Sequence, residues 1–168
     1  MVVIDNFLEK NDLEYVIDYC VKSFYTYGER DRETTPPTGM VHSIKNDENI
    51  YKLFESKIRN SNLVNEMTLY RMYVNCFAPS ENPYFHTDGD SGLTFLFYIN
   101  DWKLDDGGET QFLIDNEIKG VLPIPNRRAS FTISDLWIEI EGEVGIAESI
   151  LRNELTTELA SIGPVSKL

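Results

Sequence analysis

The sequence predicts an α+β chain whose working core is a β-sandwich or jelly roll. Two amphipathic helical patterns lie in the first sixty residues, a succession of short strand patterns begins at Thr68, and polar turns separate them. The chain has 168 residues, 42% of them hydrophobic and 12% aromatic, which suits a single globular domain over 1–168.

Charge and cysteine usage narrow the partners. A formal net charge of −13 opposes association with polyanions, so neither nucleic acid nor an anionic membrane surface is an expected partner, although a local basic pocket is compatible with it. Cys20 and Cys76 sit in apolar contexts without C-x-x-C spacing and read as reduced core thiols, which fits a cytoplasmic protein. The sequence shows neither an N-terminal signal pattern nor an apolar run of membrane-spanning length, so it reads as soluble.

Met1 to Leu8 reads as a short strand running into a turn. Leu13, Val16, Ile17, Cys20, Val21 and Phe24 then recur at helical spacing, with Asn11 offering a cap. Tyr25 to Gly39 has loop composition, with Gly28, Pro36, Pro37 and Gly39, and is the segment expected to help select a substrate. His42 follows it and reads as a hydrogen-bonded histidine near a strand end, the competing role being a metal or substrate residue. Ile50, Leu53, Phe54 and Ile58 mark a second helix, capped by Asp47.

Thr68 to Phe77 alternates as a strand with Leu69, Arg71, Tyr73, Asn75 and Phe77 on one face. Polar groups on that face suggest a lined cavity; the alternative is an edge strand with Arg71 in solvent. Leu93 to Asn100 is a nearly continuous apolar strand, and Gly107 to Ile114 with Ile118 to Leu122 forms a hairpin about Asp115-Asn116-Glu117.

The stretch Pro83-Tyr84-Phe85-His86-Thr87-Asp88-Gly89 carries the chemistry. On a strand, residues i and i+2 point the same way, so His86 and Asp88 can reach one ion. Histidine and carboxylate, completed by a second histidine, form the facial triad of non-haem iron(II) oxygenases.

Taken together, Val3-Ile4-Asp5-Asn6-Phe7-Leu8 before a helix, the strand with Tyr73, His86-Thr87-Asp88, the apolar strand and Asp106-Gly107-Gly108-Glu109-Thr110 resemble the iron(II)/2-oxoglutarate-dependent dioxygenases of the prolyl-4-hydroxylase-like group, over about residues 2–128. The resemblance implies a double-stranded β-helix of jelly-roll or cupin-like form with the N-terminal helices packed on one sheet. It implies His86 and Asp88 as metal ligands and catalytic residues, and Tyr73 on the cosubstrate. Gly107 and Gly108 would let a strand pass close to the site. It implies Fe(II) and 2-oxoglutarate as cofactors, with ascorbate a further candidate, and a peptide, prolyl or small-molecule substrate.

Pro125-Asn126-Arg127-Arg128 and Phe131 match the family's approach to a late strand, but the histidine expected on that strand is absent, and none occurs after His86. Asp135, Glu139 or Glu141 could replace it, or His42 could enter from the N-terminal region. Arg152 is the nearest candidate for the cosubstrate arginine. Residues 129–168 are atypical of the family, which makes a diverged or replaced C-terminus, and with it a non-catalytic binding module, the alternative reading. Within them Ile146 to Leu159 has helical spacing, and Trp137 reads as core.

Overall fold

Antiparallel pairing joins the strand-forming segments into two sheets. The computed structural model describes residues 1–28, 30, 33–61, 67–78, 81, 84–88, 92–132, 137–140 and 154–164. In chain order the elements are β1 (Val2–Ile4), α1 (Lys10–Lys22), β2 (Thr26–Tyr27), β3 (Met40–Ile44), α2 (Asn49–Asn60), β4 (Met67–Leu69) and β5 (Met72–Phe77). They continue with β6 (Leu93–Tyr98), β7 (Thr110–Ile114), β8 (Glu117–Val121), β9 (Arg127–Thr132), β10 (Trp137–Ile140) and β11 (Glu154–Pro164). The large sheet runs β1-β9-β6-β11-β5-β3-β2, with β4 also on β11; the small one runs β10-β7-β8. From β6 onward the chain crosses from the large sheet to the small one and back twice, as a jelly roll requires.

Each face of the large sheet has its own core, because side chains alternate along every strand. Met72, Val74 and Cys76 of β5 and Phe95 and Phe97 of β6 bury with Val16 and Cys20 of α1 and Ile50, Phe54 and Ile58 of α2. The opposite pleat carries Leu96, Tyr98, Ala129 and Phe131, which bury with Phe112 and Val121 of the small sheet. Phe112 meets Phe131 edge-on at 4.9 Å between ring centres.

Several local expectations need correction. Helix α1 is capped by Glu9 and α2 by Glu48, neither with a side-chain cap bond, in place of Asn11 and Asp47. The apolar stripe of α1 is narrower than its spacing suggests: Val16 and Cys20 are buried, whereas Val21 and Phe24 are exposed. The strand expected over Thr68 to Phe77 is broken at Tyr70-Arg71. The break resets the alternation, because Leu69 and Met72, an odd number apart, both join the helix-side core. The helix expected over Ile146 to Leu159 is contradicted where it is described: 154–164 is a strand, seated between β5 and β6. The side chain of Trp137 lies outside the described residues.

The hairpin is as read. Asp115 and Asn116 have φ of 53° and 63°, and Ile114 pairs with Glu117, which is the two-residue turn that suits strand twist. Asn126, with φ of 61°, ties the N-terminus down. Its Oδ1 accepts from Leu8 N at 2.8 Å and its Nδ2 donates to Leu8 O at 2.9 Å. Cys20 and Cys76 are buried thiols not joined in a disulfide. Among the described residues, no helix is long and apolar enough to cross a membrane.

Arg128 is fully buried on the helix-side pleat of β9, opposite Phe97. Its guanidinium lies 5.2 Å from the Phe7 ring centre and 5.4 Å from that of Phe95, and among the described residues none of its nitrogens has a hydrogen-bond acceptor. Burial pushes its pKa down. Two cation–π contacts contribute about 2 kcal/mol each at best, whereas burying a charge without partners costs several kcal/mol. Arg128→Met is therefore expected to raise unfolding free energy by about 1–3 kcal/mol, read as a higher urea midpoint at unchanged slope. A lower midpoint contradicts this balance.

Candidate metal centre

The segment 84–88 sits on the inter-sheet side of the large sheet. Thr94 belongs to the same pleat of β6 as Leu96 and Tyr98, and its Oγ1 donates to Asp88 Oδ2 at 2.5 Å. This bond holds the carboxylate against the sheet, with only 2% of the Asp88 side chain exposed. His86 forms an isolated strand bridge. Its Nδ1 lies 2.9 Å from Tyr84 O, and a carbonyl can only accept, so Nδ1 carries the proton and the neutral ring has its lone pair on Nε2. A backbone carbonyl on the far nitrogen is how metal-binding histidines are usually oriented.

His86 Nε2 and Asp88 Oδ1 face each other at 3.5 Å. Adjacent ligands of one ion with bonds of about 2.1 Å stand about 3 Å apart, so the pair is close to a chelating separation. Asp88 Oδ1 is buried and has no hydrogen-bond partner among the described residues. Such an atom is costly unless something positive binds it. Burial pushes the Asp88 pKa up, but the proton and positive charge that His86 brings to it when its ring is protonated, the Thr94 hydrogen bond and the charge of Arg71 outweigh it, so the carboxyl stays below its ordinary range. The donor set thus fits two ligands of a hard or borderline divalent metal.

A third ligand is not found among the described residues, which contain no group of three metal-capable side chains. His42 is directed elsewhere. It pairs with Val74, whose side chain joins the helix-side core, whereas Tyr73 and Asn75 belong to the other pleat. Tyr19 Oη donates to Glu48 Oε2 at 2.6 Å and lies 2.9 Å from His42 Nε2, and His42 Nδ1 lies 3.0 Å from Phe24 O. Both ring nitrogens are engaged, as the hydrogen-bonded reading expects. Glu139 is on β10, in register with Gln111 of β7, and its side chain lies outside the described residues. Asp135, Glu141 and Arg152 lie outside the described residues.

The Glu48 hydrogen bonds have a pH signature. The Tyr19 hydroxyl and the Lys45 N–H hold its carboxyl below the ordinary glutamate range, against a smaller opposing effect of burial. The stabilisation is complete above the unfolded pKa and is lost as pH falls through the lower folded value. Glu48→Gln is expected to cost up to about 1 kcal/mol near neutrality. That deficit should shrink toward zero on acidification below about pH 4, measured by denaturation at a series of pH values. A deficit constant with pH counts against the ionised bond.

Tyr73 is half-buried on β5, paired with Ser43 of β3. Its ring is covered by the Arg71 guanidinium at 4.9 Å. Arg71 is exposed and lines a cleft of about 390 Å³ together with Ser43 and Tyr73, but the edge-strand alternative is not met, because β5 lies between β11 and β3 and Arg71 precedes it in the break. Gly107 and Gly108 have φ of 65° and 78°, a backbone that other residues resist, and Gly107 O accepts from Trp102 Nε1 at 2.7 Å. The sequence reading missed Tyr98 and Thr110, whose hydroxyls bond at 2.8 Å between the sheets. An unbroken apolar run gave no hint that a tyrosine within it would seek a partner.

No family model matches the chain, and no curated protein does. Solved structures do. A prolyl-4-hydroxylase from Pseudomonas putida superposes with a TM-score of 0.72 at 16% identity, over 95% of this chain and 91% of that one. A prolyl hydroxylase from Trichoplax adhaerens, in complex with a hypoxia-inducible factor peptide, gives 0.70 at 19% identity, over 95% and 83%. HygX from Streptomyces hygroscopicus, with nickel and 2-oxoglutarate bound, gives 0.73 at 9% identity, over 98% and 82%. At these identities the likeness establishes the fold: this chain has the jelly roll of 2-oxoglutarate and iron(II) oxygenases.

Proposed function

We propose that this chain, one domain over 1–168 on that fold, is an Fe(II)/2-oxoglutarate-dependent dioxygenase with His86 and Asp88 as metal ligands. The observation that carries the reading is the orphaned, buried Asp88 Oδ1 facing the lone-pair nitrogen of His86. Asp88, kept ionised, supplies the negative charge, and Tyr84 O fixes the imidazole so that its ligand nitrogen faces the same point. Thr94 keeps Asp88 Oδ2 occupied, leaving Oδ1 for the ion. Tyr73 serves the cosubstrate in this reading, and Arg152 is the sequence candidate for its far carboxylate.

When bound, iron with 2-oxoglutarate supplies the oxidative decarboxylation to succinate that hydroxylates a substrate C–H bond. The substrate is a peptide, prolyl or small-molecule C–H donor; a peptide and hygromycin B accompany two of the structural neighbours. Ascorbate is a candidate auxiliary reductant. The absence of a third ligand among the described residues favours a second reading, a non-catalytic relative that binds a metal weakly or a partner protein. Succinate formed from 2-oxoglutarate in air separates them. The oxygenase reading expects iron-dependent succinate that disappears in His86→Ala, and succinate indifferent to that change counts against it.

A further inference from the structure

The two carboxylate oxygens of Asp88 stand in different environments, and one residue makes the difference. Oδ2 accepts the Thr94 hydroxyl at 2.5 Å, whereas Oδ1 has no hydrogen-bond partner among the described residues and faces His86 Nε2 at 3.5 Å. A hydroxyl has a single proton to give, and Thr94 gives it to Asp88. Only 1% of Thr94 is exposed, so bulk water does not compete for that proton.

Thr94 is itself firmly held. It lies on β6, inside the large sheet between β9 and β11, with Phe131 of β9 opposite it. Phe131 and Leu96, the next residue on the same pleat, are both buried, so the hydroxyl has apolar neighbours across and along the strand. A β-branched side chain is stiff about χ1, which keeps the hydroxyl aimed. On the β11 side the register slips at this point: Leu93 pairs with Ile162 and Phe95 with Leu159, which sets two residues of β11, Ala160 and Ser161, against Thr94 alone. Such bulges gather beside functional sites.

The consequence concerns which ion is accepted. A carboxylate can offer a metal one oxygen or both. Calcium gathers about six to eight oxygen ligands and takes both oxygens of a carboxylate readily, whereas ions that suit about six ligands are served by one. We propose that Thr94 is a specificity-determining residue of the metal centre, its hydroxyl confining Asp88 to a single ligand oxygen and so selecting iron(II) and manganese(II) over calcium. Thr94 acts through Asp88, as a positioning residue. The inference rests on the reading of His86 and Asp88 as metal ligands.

The test titrates the full chain with manganese(II), followed by loss of the free-ion EPR signal, with calcium added as competitor. Thr94→Val keeps the branched shape and removes the donor; Thr94→Ser keeps the donor. Thr94→Val should lower the ratio of manganese to calcium affinity about tenfold or more, and Thr94→Ser should restore it. In an Asp88→Ala background Thr94→Val should change nothing. An unchanged ratio overturns the inference even if both affinities fall, since a general loosening of the fold weakens both ions alike. A Thr94→Ser variant as altered as Thr94→Val, or an effect that persists without Asp88, overturns it too. Failure of the underlying reading looks different: the wild type then takes up no manganese, or binds it equally after His86→Ala and Asp88→Ala, and the inference falls with it. Binding that needs both ligands, at a ratio indifferent to Thr94→Val, sinks the selectivity alone.

Discussion

Asp88→Ala is expected to weaken iron(II) binding at least a hundredfold while leaving the fold in place. The carboxylate is half of the proposed ligand pair, and among the described residues it alone brings a negative charge to the centre. Removing it leaves, among those residues, a single imidazole, which holds a hydrated divalent ion poorly. Stability should fall by no more than about 1 kcal/mol, because the loss of the Thr94 bond is offset by removal of a buried oxygen that lacks a partner. Asp88→Asn sharpens the comparison, since it keeps the shape and removes the charge. Metal titration together with denaturant unfolding of both variants checks this. Unchanged metal affinity would place the metal elsewhere, and collapse of the fold would make Asp88 a structural residue instead.

Phe54→Ala should be the most damaging change to the fold, costing about 3–5 kcal/mol. Phe54 is fully buried on α2 and meets Phe97 of β6 edge-on at 5.3 Å. Phe97 in turn packs on Phe7 with ring centres 6.0 Å apart, so one aromatic cluster joins α2, the sheet and the N-terminal turn. An alanine there leaves a cavity that backbone fixed in a sheet cannot close. Domains of this size have about 5–15 kcal/mol in total. Thermal or urea unfolding should therefore show a large drop, and a loss below about 1 kcal/mol would mean that the helix is not clamped to the sheet as described.

That His86 and Asp88 lie side by side was legible because a strand's period of two is short-range: the two needed only each other and a strand-like setting. The helix-side core was legible in Val16, Cys20, Phe54 and Ile58 for the same reason, helical spacing being local. What the sequence hid was long-range. Ile146 to Leu159 can satisfy a helical period, but a strand over Glu154–Pro164 closes the gap between β5 and β6, whose facing backbone groups would otherwise lack partners. No local pattern reports that vacancy. The break at Tyr70-Arg71 was hidden for a related reason: alternation predicts a continuous strand, and only the packing of Leu69 and Met72 on one core shows the phase shift. Helix caps failed at Asn11 and Asp47 because good capping residues near a start do not fix the start when the tertiary fold sets it.

The most direct test of the metal centre is an anaerobic titration of the full chain with iron(II) in the presence of 2-oxoglutarate, followed in the visible range for the metal-to-ligand charge-transfer band. The account predicts a saturable band in the wild type and none in His86→Ala or Asp88→Ala. Absence of a band in the wild type at millimolar iron, or a band that survives both substitutions, would contradict it.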